Sequence, residues 1–516
     1  MPIHDIQKSG TTSPLVGMEV TISGIVVGDY QNTINELSGF FVQEENSDSD
    51  ANAQTSEGIF VFDNGFGVDV SVGDLVEVTG SVLEFTSTDG GLNSSSLTEI
   101  SSPTVVNIVS SGNPLPLGAT IALPVTDLTD FEPFEGMLVN FPQTLFVTEH
   151  FLLGRFGQIT LSSSSRLLQP THATAPGTAA LAYQAANDKN RIVLDDTSTL
   201  QNPDPILYPQ PAGLTALNTL RGGDTTTGLS GVLDHRFGLY RIQPTGTVTF
   251  SHTNLRPMTP SNPGGNIKVA SFNVLNYFST LDDSGNICGP LSNLACRGAD
   301  SAQEFTRQRE KLFSALTTMN VDIVGLIEIE NHATDVALDD FISGLNAVIG
   351  AGTYTKINTG TIGDDAIKVA FIYKPTTVSP FGSFAILDDT FDPNFHDDKN
   401  RPALAQTFIH NVTGEKFTVV VNHFKSKGSS CNDIGDLDAG DGQGNCNSTR
   451  TDAANVLVNW LTTDPTTSGD PDFLIIGDLN AYAMEDPITV MGTGGYTDLV
   501  SAFLGADAYS YLFDGQ

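Results

Sequence analysis

Short apolar runs broken by turn residues, with few helical repeats, set the character of the first half of this chain. Residues 20–27, 39–43, 58–62 and 75–83 are rich in Val, Ile and Phe and are separated by Gly, Asn, Asp and Ser clusters. That pattern predicts strands joined by turns. A weak echo follows: Leu15-Val16-Gly17-Met18-Glu19-Val20 is matched by Phe134-Glu135-Gly136-Met137-Leu138-Val139, and Gly73-Asp74 by Gly223-Asp224. The echo predicts two related small β modules, residues 1–112 and 113–255. Five or so strands with Gly-Asp turns suggest an OB-like barrel for each. Such barrels often bind single strands through aromatic side chains. Here Tyr30, Phe40, Phe41, Phe60 and Phe62 are more simply core, so a scaffold or substrate-orienting role is expected. Residues 168–190, rich in Ala, Thr, Gln and Pro, read as a long surface insertion with an Ala-rich helix.

Residues 254–266 are dense in Pro, Gly and Asn and form a linker. Beyond it, over residues 256–516, apolar runs alternate with amphipathic helices. Runs at 267–272, 321–327, 368–373, 402–408, 417–421 and 473–476 predict strands, the last buried on both faces. Ser301-Ala302-Gln303-Glu304 has the form of a capping box. The helix it opens carries Phe305, Leu312, Phe313 and Leu316 on one face, and a later helix carries Ala453, Val456, Leu457, Trp460 and Leu461.

Polar groups recur where these strands end: Asn273, Glu328, His423, Asp478 and Asn480. Taken singly, Asn273 and Asn480 are turn formers, Glu328 a surface acid and His423 a rim histidine. In register on successive strands, the five predict one site. Two carboxylates, two carboxamides and an imidazole suit a hard divalent cation. They also suit a hydrogen-bonded base that orients water against a phosphodiester. Arg401 opens one strand, and Asp364-Asp365 precede another.

Charge narrows the partners. The net charge is −37, with 8 basic and 27 acidic side chains in residues 1–255 and 15 and 33 in the remainder. So acidic a surface excludes bulk phosphate binding by Lys and Arg, and a nucleic-acid substrate would need divalent cations and a local basic groove. No apolar run approaches the ~18 residues of a membrane span, and Met1-Pro2-Ile3-His4-Asp5 shows no signal peptide. The four cysteines form two close pairs, Cys288/Cys296 and Cys431/Cys446, in polar loops. They read as loop-stapling disulfides of an oxidising compartment, with unpaired structural thiols as the alternative. Asp436 and Asp438 hint at Ca2+, but their spacing misses the EF-hand pattern, and a solvated acidic loop fits better.

Ser271-Phe272-Asn273-Val274-Leu275-Asn276, the run ending in Leu326-Ile327-Glu328, Asn422-His423-Phe424 and Gly477-Asp478-Leu479-Asn480 resemble the motifs of the endonuclease/exonuclease/phosphatase superfamily. The nearest branch is the secreted bacterial ExeM/NucH-type nucleases, which are similar in both cysteine pairs and in the preceding β modules. The resemblance implies an α+β protein: a four-layered, DNase I-like α/β sandwich over 256–516, preceded by two OB-like β-barrel modules. It implies a secreted, monomeric, Mg2+- or Mn2+-dependent nuclease acting on extracellular DNA, with RNA as a second substrate. By this resemblance Glu328 is the metal ligand with Asn273 beside it, and Asp478 and Asn480 orient and activate the attacking water. His423 contacts the scissile phosphate and serves as acid or base, and Arg401 steadies a phosphate. Asp365 is a looser match as an active-site acid. Arg450 touches the substrate backbone or pairs with an acid.

The family ends its site on an Asp-His strand, expected shortly after Ser510-Tyr511-Leu512-Phe513-Asp514-Gly515-Gln516, where this sequence stops. Asp234-His235 belongs to the second β module and is a decoy. A catalytic region incomplete at its C-terminus is expected to bind metal and DNA yet cleave poorly. Rival readings are a phosphomonoesterase or phospholipid phosphodiesterase of the same superfamily, and a DNA-binding or adhesion protein without activity.

Overall fold

Alternation decides the first strand: Val20 and Ile22 turn inward, while Glu19, Thr21 and Ser23 face solvent. The computed structural model describes residues 1–31, 35–50, 52–86, 96–282, 285–505 and 508–512. Strands β1 (Glu19–Tyr30), β2 (Gly39–Gln43), β3 (Gly58–Phe62), β4 (Leu75–Phe85) and β5 (Leu97–Ser110) close into a barrel in the order β1-β2-β3-β5-β4. Its core holds Ile22, Val26, Phe40, Val42, Ile59, Val78 and Ile100. Tyr30, Phe41 and Phe60 are buried in a second cluster that includes Val232. They are packing residues, as their spacing indicates.

The second module contains β6 (Leu138–Phe141), β7 (Leu145–Glu149), β8 (Ile159–Ser163), β9 (Arg191–Leu194), β10 (Thr225–Thr226), β11 (Leu229–Arg236) and β12 (Leu239–Pro244). With Ala119–Thr120 they form one eight-stranded sheet, β10-β7-β8-β9-β12-β11-β6 and then 119–120. The expected simple barrel is interrupted: β6 and β7 are two pieces of one path, as are β10 and β11. Because β10 pairs with β7 and β11 with β6, the sheet returns on itself in the first barrel's pairing order.

The sequence echo marks the same backbone turn built twice. Gly17 (φ 80°) and Gly136 (φ 76°) each donate an N–H at 2.8 Å, to Val82 O and Leu233 O. Gly73 (φ 92°) and Gly223 (φ 94°) likewise donate to Val26 O and Val147 O. The following Asp74 and Asp224 carboxylates accept from Ser71 N and Arg221 N at 2.9 and 3.0 Å. Glycine is favoured at these positions because a Cβ opposes the left-handed backbone.

After the linker come two sheets. The first orders β13 (Val269–Tyr277), β14 (Ile323–Glu330), β15 (Ile367–Tyr373) and the short Thr355–Lys356. The second orders β16 (Val378–Leu387), β17 (Arg401–His410), β18 (Lys416–His423) and β19 (Phe473–Asp478). Successive residues serve opposite faces. Ile323 and Ile327 of β14 meet Val419 and Val421 of β18 between the sheets. Val324 and Leu326 instead pack under helices α1 (Ala302–Met319) and α2 (Val336–Ile349), through Phe313, Leu316 and Phe341. On the far side, Ala405 and Val420 are covered by Leu457 and Trp460 of α3 (Asn447–Leu461) and Met491 of α4 (Asp486–Thr493). The result is four layers: helix, sheet, sheet, helix.

One expectation fails here. The run at 473–476 is not buried on both faces; all six residues of β19 are half-buried, because β19 is the edge of its sheet. The insertion at 168–190 also differs from a free surface loop. It holds the expected helix, Thr178–Lys189, but Pro170–Leu181 packs with the sandwich unit, where Thr171 Oγ1 donates to Glu485 at 2.6 Å. By chain contacts the described protein divides into two units, Pro170–Leu181 with Pro257–Ala508 forming the second. Among the described residues, no helix is long and apolar enough to cross a membrane.

The cysteines are bonded as the two expected pairs, Cys288–Cys296 with Cα atoms 5.1 Å apart and Cys431–Cys446 with Cα atoms 5.3 Å apart. They lie in loops and a short strand, as expected, and the structure adds that their sulfurs are covered. All are buried, Cys288 ends the short strand Asn286–Cys288, and Cys446 occupies the N-cap position of α3 with φ 63°. The physical reason is that a bonded sulfur is apolar, so the polar segments fold over it and leave their charged residues outside. Cys446 thereby fixes the end of its loop to the start of α3, which local sequence polarity does not reveal.

Candidate functional site

Two irregularities in neighbouring strands place the first functional groups. The β13–β14 register slips between Asn273 and Tyr277, and the β14–β15 register slips between Leu326 and Ile329. Such bulges re-aim side chains. Leu275 and Asn276 take φ near 53°, and Glu328 takes φ 65°, all uncommon for side-chain-bearing residues. Glu328 is held in that strained pose by its neighbours. Asn273 Nδ2 donates to its Oε1 at 2.9 Å, and the Asn276 N–H donates to its Oε2 at 3.1 Å.

The second sheet supplies the rest. β18 and β19 run parallel in register, so His423 lies beside Asp478, and Arg401 lies beside His423 on the other side. His423 Nε2 is 3.8 Å from Glu328 Oε1. One donor atom each from Glu328, His423 and Asp478 fall within 4.8 Å of one another. Asn273, bonded to Glu328, also lies close enough to Asp478 to favour its charged form. The Asn480 N–H donates to Asp478 Oδ1 at 3.0 Å, and Asn480 Nδ2 donates to Phe424 O at 2.9 Å. Asn480 is thus both a turn former and a brace for Asp478.

Electrostatics split the two titratable groups on the second sheet. Burial pushes the Asp478 carboxyl up, against the hydrogen bonds that favour its charge. Burial, aided by the Arg401 and Arg297 cations, pulls the His423 imidazole down to about 3, with Asp365 opposing. His423 is therefore neutral at pH 7, and its buried Nδ1 has no hydrogen-bond partner. Asp365 is tied to two arginines: Arg401 Nε and Nη2 donate at 2.8 and 2.7 Å, and Arg297 Nη2 at 2.8 Å. Burial raises its pKa, but the two cations outweigh this and hold it below the usual carboxylate range.

Seven of the residues singled out from sequence (Asn273, Glu328, Asp365, Arg401, His423, Asp478 and Asn480) thus belong to linked contacts. Arg450 does not face a substrate. It is fully buried, and its guanidinium donates to the carbonyls of Lys425, Asn445 and Gln443 at 3.2, 2.7 and 3.1 Å. Carbonyl oxygens take the role expected of an acid. That loop is the one closed by the Cys431–Cys446 bond, and Cys446 lies next to the Asn445 carbonyl that Arg450 holds. Asp436 accepts from the Thr449 N–H and hydroxyl, and Asp438 from the Gly440 N–H; they fix loops and join no candidate cation cluster among the described residues. Asp234 and His235 are buried in the second β module. Of the C-terminal stretch compared with the family's closing strand, residues 513–516 lie outside the described residues.

Sequence reasoning missed Arg297, which has no strand-end signature and reaches the site from just after Cys296. Gly477 was read only as part of a motif; its φ of 134° turns β19 into Asp478.

The donor set fits a divalent cation. Two carboxylates and a neutral imidazole converge on one point, with His423 Nε2 facing Glu328.

Residues 123–253 match a family described as "Domain of unknown function (DUF8508)". No curated protein matches the chain. Among solved structures, the human Nocturnin catalytic domain is similar at 15% identity and TM-score 0.28, over 40% of this chain and 70% of that one. An endonuclease/exonuclease/phosphatase family protein from Bacteroides thetaiotaomicron is similar at 16% identity and TM-score 0.30, over 44% and 69%. A mannosyl-6-phosphatase of the same organism gives 15% and 0.29, over 44% and 71%.

Proposed function

We propose that the sandwich unit is a metal-assisted phosphoester hydrolase, and that its substrate is a nucleic-acid phosphodiester. The observation that carries this is the convergence of Glu328, His423 and Asp478 within 4.8 Å, with Asn273 bonded to Glu328. Glu328, with Asn273 alongside, would hold Mg2+ or Mn2+, which when bound neutralises charge on the phosphoryl oxygens. Asp478 accepts the proton of an incoming water, and the Asn480 N–H fixes its carboxylate for that task. Neutral His423 offers one N–H to a phosphate oxygen, or a lone pair to a proton. Arg401 and Arg297, already paired to Asp365, supply the local positive charge that an acidic surface otherwise lacks. A phosphodiester carrying further phosphates engages both arginines, which favours a polynucleotide over a small monoester.

The pairing order of the front modules supports the OB-like reading, and with it a scaffold or substrate-orienting role. Two disulfides suit an oxidising compartment, consistent with secretion.

The test is Mn2+ binding together with Mg2+-dependent cleavage of supercoiled plasmid, with a nitrophenyl phosphomonoester and phosphatidylcholine as competing substrates. Glu328→Gln and Asp478→Asn are each expected to lower plasmid cleavage by ~10²–10⁴-fold, and Glu328→Gln to weaken Mn2+ binding. Cleavage at the unaltered rate in either variant would sink the assignment. Faster turnover of the monoester or lipid would keep the site and change the substrate.

A further inference from the structure

The first barrel carries a second gathering of ligand-type side chains, which the phosphoesterase reading does not use. His4 sits on the short helix Ile3–Gln7, Glu44 directly after β2, and Glu57 directly before β3. His4 Nδ1 is 2.8 Å from Glu44 Oε2 and 3.6 Å from Glu57 Oε2, and one donor atom of each residue lies within 4.8 Å of the others. Both glutamates are more than nine-tenths buried, at 4% and 7% exposure.

Their outer oxygens are spoken for. Glu44 Oε1 accepts from the Ile3 N–H and, at 3.3 Å, the His4 N–H; Glu57 Oε1 accepts from the Ser49 hydroxyl at 2.8 Å. The inner Glu57 Oε2 is shut off from water and accepts no hydrogen bond. Two buried carboxylates against a single imidazole are poorly compensated, and an orphaned carboxylate oxygen is costly. The missing element is positive charge at the point where the three donors meet.

Ligand chemistry narrows what supplies it. Nδ1 to carboxylate separations of 2.8 and 3.6 Å fall within twice the ~2.0–2.2 Å bond of a zinc-type ion. Ca2+ and Mg2+ prefer all-oxygen shells, whereas an imidazole favours a transition metal.

We propose that His4, Glu44 and Glu57 form a structural divalent-cation site of the Zn2+ or Mn2+ class. The ion would clip the N-terminal helix to both ends of the loop joining β2 and β3. The backbone already closes that loop, with Glu44 N donating to Glu57 O at 3.0 Å. The proton that His4 and Glu44 share leaves to solvent as the ion enters. The site does not depend on the hydrolase reading.

Isothermal titration with Zn2+ tests it, using the full chain carrying Glu328→Gln and Asp478→Asn so that the first cation cluster is disabled. One ion per chain is expected, with affinity falling at least ~tenfold when Glu57→Gln or His4→Gln is added. His4 is the most exposed of the three, so its variant is the one best placed to fold normally. Zn2+ should also raise the thermal midpoint of the unaltered cluster and leave that of the His4 variant where it is. No binding by the chain with the cluster intact overturns the proposal, and so does binding undiminished by either variant. In that case the three side chains share a proton and nothing more.

Discussion

His423 is held neutral by its surroundings, and this has a consequence for stability. Its imidazole titrates at about 3 in the folded chain against 6.5 ordinarily, chiefly through burial. As pH falls below 6.5 the unfolded chain takes the proton first, so the stabilisation present above 6.5 is lost on the way down toward 3. His423→Asn removes that titration. Its urea midpoint is expected to decline less steeply than the parent's between pH 6.5 and 4, values bracketed by those two pKa limits. Coincident slopes would mean that His423 is not kept neutral. At this scale much was legible: Glu328, His423 and Asp478 stood out because each follows an apolar run. Arg450 was misread, since a cation at the head of a helix beside an acidic loop looks exposed, and only the fold turns it inward onto three carbonyls. Cys446 was paired correctly, and only the fold buries its sulfur among polar neighbours. Arg297 was invisible, because its importance comes from a carboxylate 68 residues away.

At the level of elements, the site depends on strands that break their own rules. Gly477 lies in β19 with φ 134°, and a Cβ there would sit 2.1 Å from Asn422 O on the neighbouring strand. Gly477→Ala therefore strains the backbone and pushes β19 away from β18. A stability loss of ~3 kcal/mol or more is expected by urea denaturation, because a Gly-only conformation and a backbone clash add. An unchanged midpoint would refute the account. Replacing Gly477 should also weaken Mn2+ binding, since His423 and Asp478 are neighbours only through that pairing. The strands themselves were readable from their apolar runs. The slips at Asn273–Tyr277 and Leu326–Ile329 were not, because a bulge leaves the hydrophobic pattern nearly intact while changing where the next side chain points.

Across the whole molecule, a closed barrel and an eight-stranded sheet precede the sandwich, and the two meet through glycine. A Cβ on Gly58 of the first would lie 2.3 Å from the Gly136 carbonyl carbon of the second, with backbone on both sides. Gly58→Ala should separate the barrel from the sheet and lower stability by ~1–3 kcal/mol. Limited proteolysis checks it: cleavage between the modules, around residues 111–118, should quicken while the sandwich stays resistant. Unchanged proteolysis would show that the contact is dispensable. The amino-acid sequence alone determined where strands and helices form, where the linker falls, and that acids, amides and a histidine stand at strand ends, because periodicity and turn chemistry are local. Only the tertiary structure decided that Glu328, from one sheet, meets His423 and Asp478 from the other. Residues so far apart along the chain converge through sheet-on-sheet packing and register, which no local pattern encodes.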